Sequence, residues 1–314
     1  MIQTVTGPIA PEVLGFCQPH EHLFVRRTPA ADANPALQIE DEARSVSEVA
    51  AYRDAGGGAI VDCQPGGAGR DLHVLRRISR ETGVRIVGVT GYHMPGFYPE
   101  GHWRFSESRE ALQERFLREL TEGVREPGEE VPVFPGAVKA AIGTDGPVGR
   151  FAVCLRAAAG AAARAGVPLI LHTEYGAGAV EAVRICEAEG LDPARIAVCH
   201  VDRQASDYAP HEAVARTGAY LEYDTIARYK YHDDPSEVAL IRHMLDQGCG
   251  DRLLISLDTT AARLSRYGGA PGLDYILRAF IPMLSAAGVS GAEIGAMTRE
   301  NPARLLAKAN QRRK

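Results

Sequence analysis

The sequence is short of several features that would set its class. Aromatic residues make up only 6%, and Trp103 is the single tryptophan. Lys and Arg number 35 against 40 Asp and Glu, a net charge of −5, so the basic excess of a nucleic-acid binder is missing. No apolar run approaches the roughly 18 residues of a membrane-crossing helix. The segment MIQTVTGPIAPE has no basic stretch followed by an apolar one, so it is not expected to be a secretory signal. Cys17, Cys63, Cys154, Cys186, Cys199 and Cys249 are scattered without a CxxC pair. They are expected to be reduced, buried small hydrophobes in a cytoplasmic protein. No strand-like run leads into GxGxxG and no GxxxxGK[ST] occurs, which removes dinucleotide and P-loop readings. The glycines of GGAGRD, from Gly66, read as a tight turn.

What is present is an ordinary globular composition, 45% hydrophobic over 314 residues. Eight short apolar, β-branched runs appear in order: GFCQPH from Gly15, AIVDCQ from Ala59, RIVGVTGYH from Arg85, GAVKAAIG from Gly136, PLILHTE from Pro168, RIAVCHVD from Arg195, AYLEYDT from Ala219 and RLLISLDT from Arg252. Near-continuous apolar runs suit strands buried on both faces. Helical patterns lie between them, among them a segment opening at Ser106 and one from Phe151 that stops at Gly166. Eight β-then-α units predict an α/β fold, a (β/α)8 TIM barrel formed as a single domain over residues 1–314. A doubly wound sheet is the alternative.

Buried parallel strands should end in apolar or turn residues, and several of these do not. The first run ends in His20-Glu21-His22, where period-2 alternation puts the two histidines on one face. The fourth run holds Lys139, and the fifth, sixth and eighth end near His172, His200 and Asp258. One histidine in an apolar strand is more often a hydrogen-bonded core residue than a ligand. A lysine inside a buried strand is costly unless paired or modified. All of these fall at the strand ends that a barrel gathers at one mouth, which points to chemistry. The histidines at 73, 102, 211, 232 and 243 read as surface or loop residues.

The segments PHEHL, VDCQPGGAGRD, VTGYH, VKAAIGTDG, ILHTEYG, VCHVDR, LEYDT, SLDTT and YGGAPGLDYI occur in this order, and together they resemble the phosphotriesterase family of the amidohydrolase superfamily. The resemblance implies two divalent metal ions: zinc, with manganese or cobalt as alternatives. His20, His22 and Asp258 would bind one ion and His172 and His200 the other. Lys139 would bridge both as a carbamate formed with carbon dioxide. Such a centre lowers the pKa of a bound water, and the resulting hydroxide attacks a carbonyl or phosphoryl group. Asp258 would also shuttle the proton.

The resemblance further implies a small-molecule substrate, no nucleic-acid or membrane partner, and dimers as a family habit. The lactonase branches are the nearest in pattern. Tyr92 is read as a donor to the substrate carbonyl, with His93 as its competitor. Arg228, Lys230, Arg263 and Arg266, on the loops after the seventh and eighth runs, are candidate anion contacts. Arg203 is a further candidate or a structural partner of Asp202 or Asp224. The expected activity is opening of a polar or anionic, sugar-type lactone, with or without a phosphate. The alternatives are hydrolysis of N-acyl amines or amides, promiscuous phosphotriester hydrolysis, and a non-catalytic binding role.

Overall fold

The computed structural model describes residues 1–125 and 129–309. The expected domain over 1–314 therefore includes residues 126–128 and 310–314, which lie outside the described residues. An antiparallel hairpin comes first, β1 (Ile2–Thr4) and β2 (Gly7–Ile9). The eight apolar runs then form eight parallel strands paired in sequence order. They are β3 (Cys17–Glu21), β4 (Ala59–Asp62), β5 (Arg85–Gly91), β6 (Ala137–Ala141), β7 (Leu169–His172), β8 (Ile196–Cys199), β9 (Tyr220–Tyr223) and β10 (Leu253–Ile255). This is the predicted (β/α)8 barrel. Its hairpin was not legible as strands, because each arm is only three residues long.

Strand alternation divides the core in two. Val61, Val87, Val89, Ala137, Ile170, Ala197 and Leu254 pack inside the barrel with Cys17, Cys63 and Cys199. Their neighbours of opposite parity, such as Ile60, Ile86, Val138, Leu171 and Val198, pack outward against helices. Those helices are α1 (Pro29–Ala33), α2 (Glu42–Asp54), α3 (Leu72–Thr82), α4 (Arg109–Glu122), α5 (Gly149–Ala165), α6 (Ala179–Ala188), α7 (Ala209–Ala215) and α8 (Asp234–Asp246), followed by short turns of helix up to Leu306. Their ends follow ordinary capping chemistry. Asp71 accepts from the amides of His73 and Val74, and Gly166 closes α5 in the left-handed conformation. The cap of α4 is Ser108, two residues after the expected start.

Backbone and side-chain hydrogen bonds close the barrel between β10 and β3. Asp258 N donates to His20 O at 3.1 Å, and His20 N donates to Ser256 Oγ at 2.9 Å. The buried Glu21 carboxylate accepts from the amides of Leu257 (2.8 Å) and Thr259 (3.1 Å). Among the described residues no helix is long and apolar enough to cross a membrane. All six cysteines are free, and five are buried.

Candidate metal centre at the barrel mouth

The same alternation aims the polar strand ends. Lys139 has the inward parity of Ala137, His172 that of Ile170, and Asp258 that of Leu254. His20 and His22 lie out of step with the inward Cys17. A register shift against β4 between Gln18 and Glu21 absorbs the difference. His200 would face outward after Cys199, but its left-handed backbone, φ 66°, redirects it. Asp258 is also left-handed, φ 50°. Such strain at a non-glycine residue costs about 1–3 kcal/mol and persists where surrounding contacts enforce it. Gly91, φ 108°, is required by contact: a Cβ there would lie 2.0 Å from Lys139 O.

These residues meet at the mouth. His20 Nε2 lies 3.0 Å from Lys139 Nζ and 3.8 Å from Asp258 Oδ1. His22 Nε2 is 3.5 Å from the same oxygen. His200 Nε2 lies 2.8 Å from His172 Nδ1. The far ring nitrogens fix the tautomers. Asp224 accepts from His20 Nδ1 (2.9 Å) and from His200 Nδ1 (2.6 Å), so both Nε2 atoms present lone pairs. Glu174 receives His172 Nε2 at 3.0 Å, which leaves its Nδ1 as a lone pair too. Two lone pairs facing each other at 2.8 Å, beside a buried lysine with no carboxylate partner among the described residues, suit an acceptor set built for cations. His20, His22 and Asp258 offer three ligand atoms within 4.8 Å of one another.

The electrostatics agree. Burial and the Lys139 ammonium pull His20 down to about 4, against the opposing hydrogen bond that its Nδ1–H donates to Asp224. Burial lowers His200 and His172 as well. These shifts favour the neutral imidazole at His20, His172 and His200, the form that binds metal. Burial alone would raise Asp258, yet the Arg228 guanidinium and the surrounding histidines hold it well below the usual carboxylate range. Asp224 is likewise held low against burial by its two imidazole partners.

A cavity of about 700 Å³ opens above these groups. It sorts the expected substrate contacts. Tyr92 is not among its walls. It is fully buried in the layer between strands and helices, with the Arg104 guanidinium 5.3 Å from its ring centroid. Its parity from the inward Val89 is outward, so the donor role assigned to it is withdrawn. His93, of inward parity, lines the cavity and stacks on Phe97. Its Nδ1 accepts from Met94 N at 2.7 Å, so Nε2 carries the proton. Arg266 is exposed and outside the cavity, its backbone amide held by Glu48, so it too is withdrawn. Arg263 reaches the wall, but its guanidinium donates to the carbonyls of Ile226 (2.6 Å) and Ala227 (2.9 Å). It is a tether for the loop after β9, where Ala227 is left-handed at φ 55°.

Arg228 lines the cavity and grips Asp258 twice, at the side-chain Oδ2 (2.7 Å) and the backbone carbonyl (2.6 Å). Arg203 bonds Glu174 at 2.8 Å rather than Asp202 or Asp224. Lys230 is exposed at the rim, 4.6 Å from the Tyr231 ring centroid. Trp103 packs beside the outer core and is not a cavity wall. His73 and His211 are buried and hydrogen-bonded, not surface residues. Sequence reasoning missed Asp224 and Glu174 as holders of the imidazoles. Asp224 carried a signal, since it shares the inward parity of Tyr220 and ends its strand as the other polar residues do.

A parallel barrel with this mouth defines a metal-dependent hydrolase. The chain belongs to the phosphotriesterase family, whose model matches residues 1–306. It is similar to the N-acetyltaurine hydrolase of Danio rerio, 29% identical with 97% of each chain covered. It is similar also to the phospho-furanose lactonase of Mycoplasmopsis synoviae (strain 53), 27% identical over 97% of this chain and 91% of that one. Among solved structures, a lactonase from Listeria monocytogenes superposes with a TM-score of 0.92 at 28% identity, covering 98% of this chain and 99% of that one.

Proposed function

We propose that this chain opens a polar or anionic lactone of sugar type, with or without a phosphate. The observation that carries the reading is the convergence of six metal-ligating groups beneath a cavity with cationic walls. His20, His22 and Asp258 would hold one divalent ion, His172 and His200 the second, with Lys139, as a carbamate, shared between them. Zinc, manganese and cobalt all suit such donors. When bound, the ions supply a nucleophile from water near neutral pH and polarise the substrate oxygen.

The chain's own groups do the rest. Asp224 and Glu174 keep three imidazoles in the ligating tautomer. His93 Nε2–H is available to the substrate carbonyl in place of Tyr92. Asp258 Oδ2 takes up the proton released in attack and returns it to the alkoxide, while Arg228 holds that oxygen in place. Lys230 and Arg228 would face the anionic end of the substrate, which is the expected small-molecule partner.

Hydrolysis of an N-acyl amine is the second reading, favoured by the likeness to an N-acetyltaurine hydrolase over nearly the full length of both chains. The names of both curated relatives describe an anionic substrate, one a sulfonate and one a phosphate. The two readings therefore share the charged wall. They differ at Asp258, which would have to protonate an amine before the C–N bond breaks. An alkoxide leaves with less need of that protonation than an amine does, which favours the lactone.

The deciding experiment is a screen with metal-reconstituted enzyme. It would include sugar lactones with and without phosphate, acyl-homoserine lactones, N-acyl amino acids and N-acyl aminosulfonates. Turnover of the amides with no lactone turned over would reverse the order of the two readings.

A further inference from the structure

We propose that Asp202, His232 and Glu237 form a separate third cation site, for one divalent transition-metal ion such as zinc or manganese. The three residues come from different segments: the turn after β8, the loop after β9, and α8. Their ligand atoms all lie within 4.8 Å of one another.

The hydrogen bonds around this cluster leave it short of positive charge. Glu237 is 0% exposed, and among the described residues neither of its carboxylate oxygens accepts a well-aligned hydrogen bond. Asp202 Oδ2 accepts from the amide (2.6 Å) and hydroxyl (2.7 Å) of Thr225, but its Oδ1 accepts nothing. His232 Nδ1 lies 3.1 Å from the Asp233 carbonyl, which can only accept, so Nδ1 carries the ring proton. Its Nε2 points inward, 3.1 Å from Thr225 Oγ1 and 3.0 Å from Glu237 Oε2, so this nitrogen either carries a second ring proton or turns a lone pair to a cation. The Thr225 hydroxyl proton is already given to Asp202. Two carboxyl groups and an imidazole nitrogen thus face one another in a buried pocket. Such an arrangement is strongly unfavourable without a proton or a cation among them.

One imidazole and two carboxylates form a borderline-hard donor set, which zinc and manganese accept. Zinc–ligand distances of about 2.0–2.2 Å fit donor atoms spaced this closely. There is also a way in. His232 forms part of a surface cleft of about 260 Å³, together with Ser206, Tyr208 and Ser236. The cluster is distinct from the mouth, since neither His232 nor Glu237 lines the main cavity. An ion there would join the two loops and α8, stiffening the scaffold behind Asp224.

The test is metal content and location, not turnover. Holoenzyme equilibrated with manganese and freed of loose metal should carry one more equivalent per chain than Glu237→Gln or His232→Gln. Crystals of the manganese-loaded wild type should show an anomalous peak among Asp202, His232 and Glu237. The difference of one equivalent is read whatever the mouth itself holds, and the wild-type peak is decisive even if a variant fails to fold. Equal metal content in wild type and both variants, or a wild-type crystal with peaks at the mouth and none at this cluster, would overturn the proposal in favour of a shared proton.

Discussion

Replacing Asp224 by Asn changes one atom type in a buried, fully used carboxylate. Its two oxygens accept from His20 Nδ1 at 2.9 Å and His200 Nδ1 at 2.6 Å. An amide offers one acceptor and one donor. One imidazole keeps its partner, while the other meets an N–H and must move its proton to Nε2 or turn away. Either change removes a lone pair from the proposed metal set. A hydrogen bond to a charged group contributes about 1.5–3 kcal/mol, or roughly 10- to 150-fold in a binding constant. Loss of such an outer partner commonly costs about 10- to 100-fold in metal affinity. Asp224→Asn should therefore fold with a wild-type circular dichroism spectrum, yet release one metal at least about tenfold more readily in a chelator competition. Activity should return in part at high metal concentration, because the ligands themselves remain. A variant that binds both ions within about twofold of wild type would show that Asp224 does not set the tautomers.

Tyr92→Phe should leave kcat/KM unchanged, since the hydroxyl is buried in the outer core away from the cavity; a large fall in activity would return Tyr92 to the site. Lys230→Met should cut the preference for a phosphorylated or carboxylated lactone over its neutral analogue by roughly 10-fold or more, with neutral rates unchanged; equal losses on both substrates would refute a charge-reading role. The metal-free protein should lose stability on acidification from about 6.5 towards 4. His20 titrates near 4 in the fold, so over that range the unfolded chain binds the extra proton. The loss should reach at most about 3 kcal/mol from this group in urea titrations at stepped pH, and a flat profile would contradict it. Lys139→Ala should lose metal and activity together, with partial rescue by short carboxylic acids; metal content equal to wild type would remove the bridging role.

The barrel was legible because every strand is a brief apolar run and the polar candidate-site residues interrupt those runs. Lys139 within VKAA is the clearest case, since nothing in a packed interior calls for an amine. Tyr92 was misread for want of one step of alternation: counting by two from Val89 reaches His93 and passes Tyr92 by. His200 could not have been placed that way, because its left-handed φ reverses the parity. The loop cations were illegible for a different reason. The loops after β9 and β10 are irregular turns with no period, so Lys230 on the rim and Arg266 outside it look alike in sequence. Asp202 and Glu237 were equally hidden, since a helix face and a loop meet there only through the fold.

The seam between β3 and β10 has a bearing on how the molecule is made. His20 N meets Ser256 Oγ across 236 residues of chain, and Asp258, the partner of His20 and His22, arrives just afterwards. A growing polypeptide on the ribosome exposes both histidines early but has no closed pocket until its last barrel strand emerges and docks. With the metal role proposed above, the paired histidines would until then form an open, unselective chelate. Selection of the retained ion would then fall to the final folding event, and a chain truncated before Leu253 should bind ions loosely and indiscriminately.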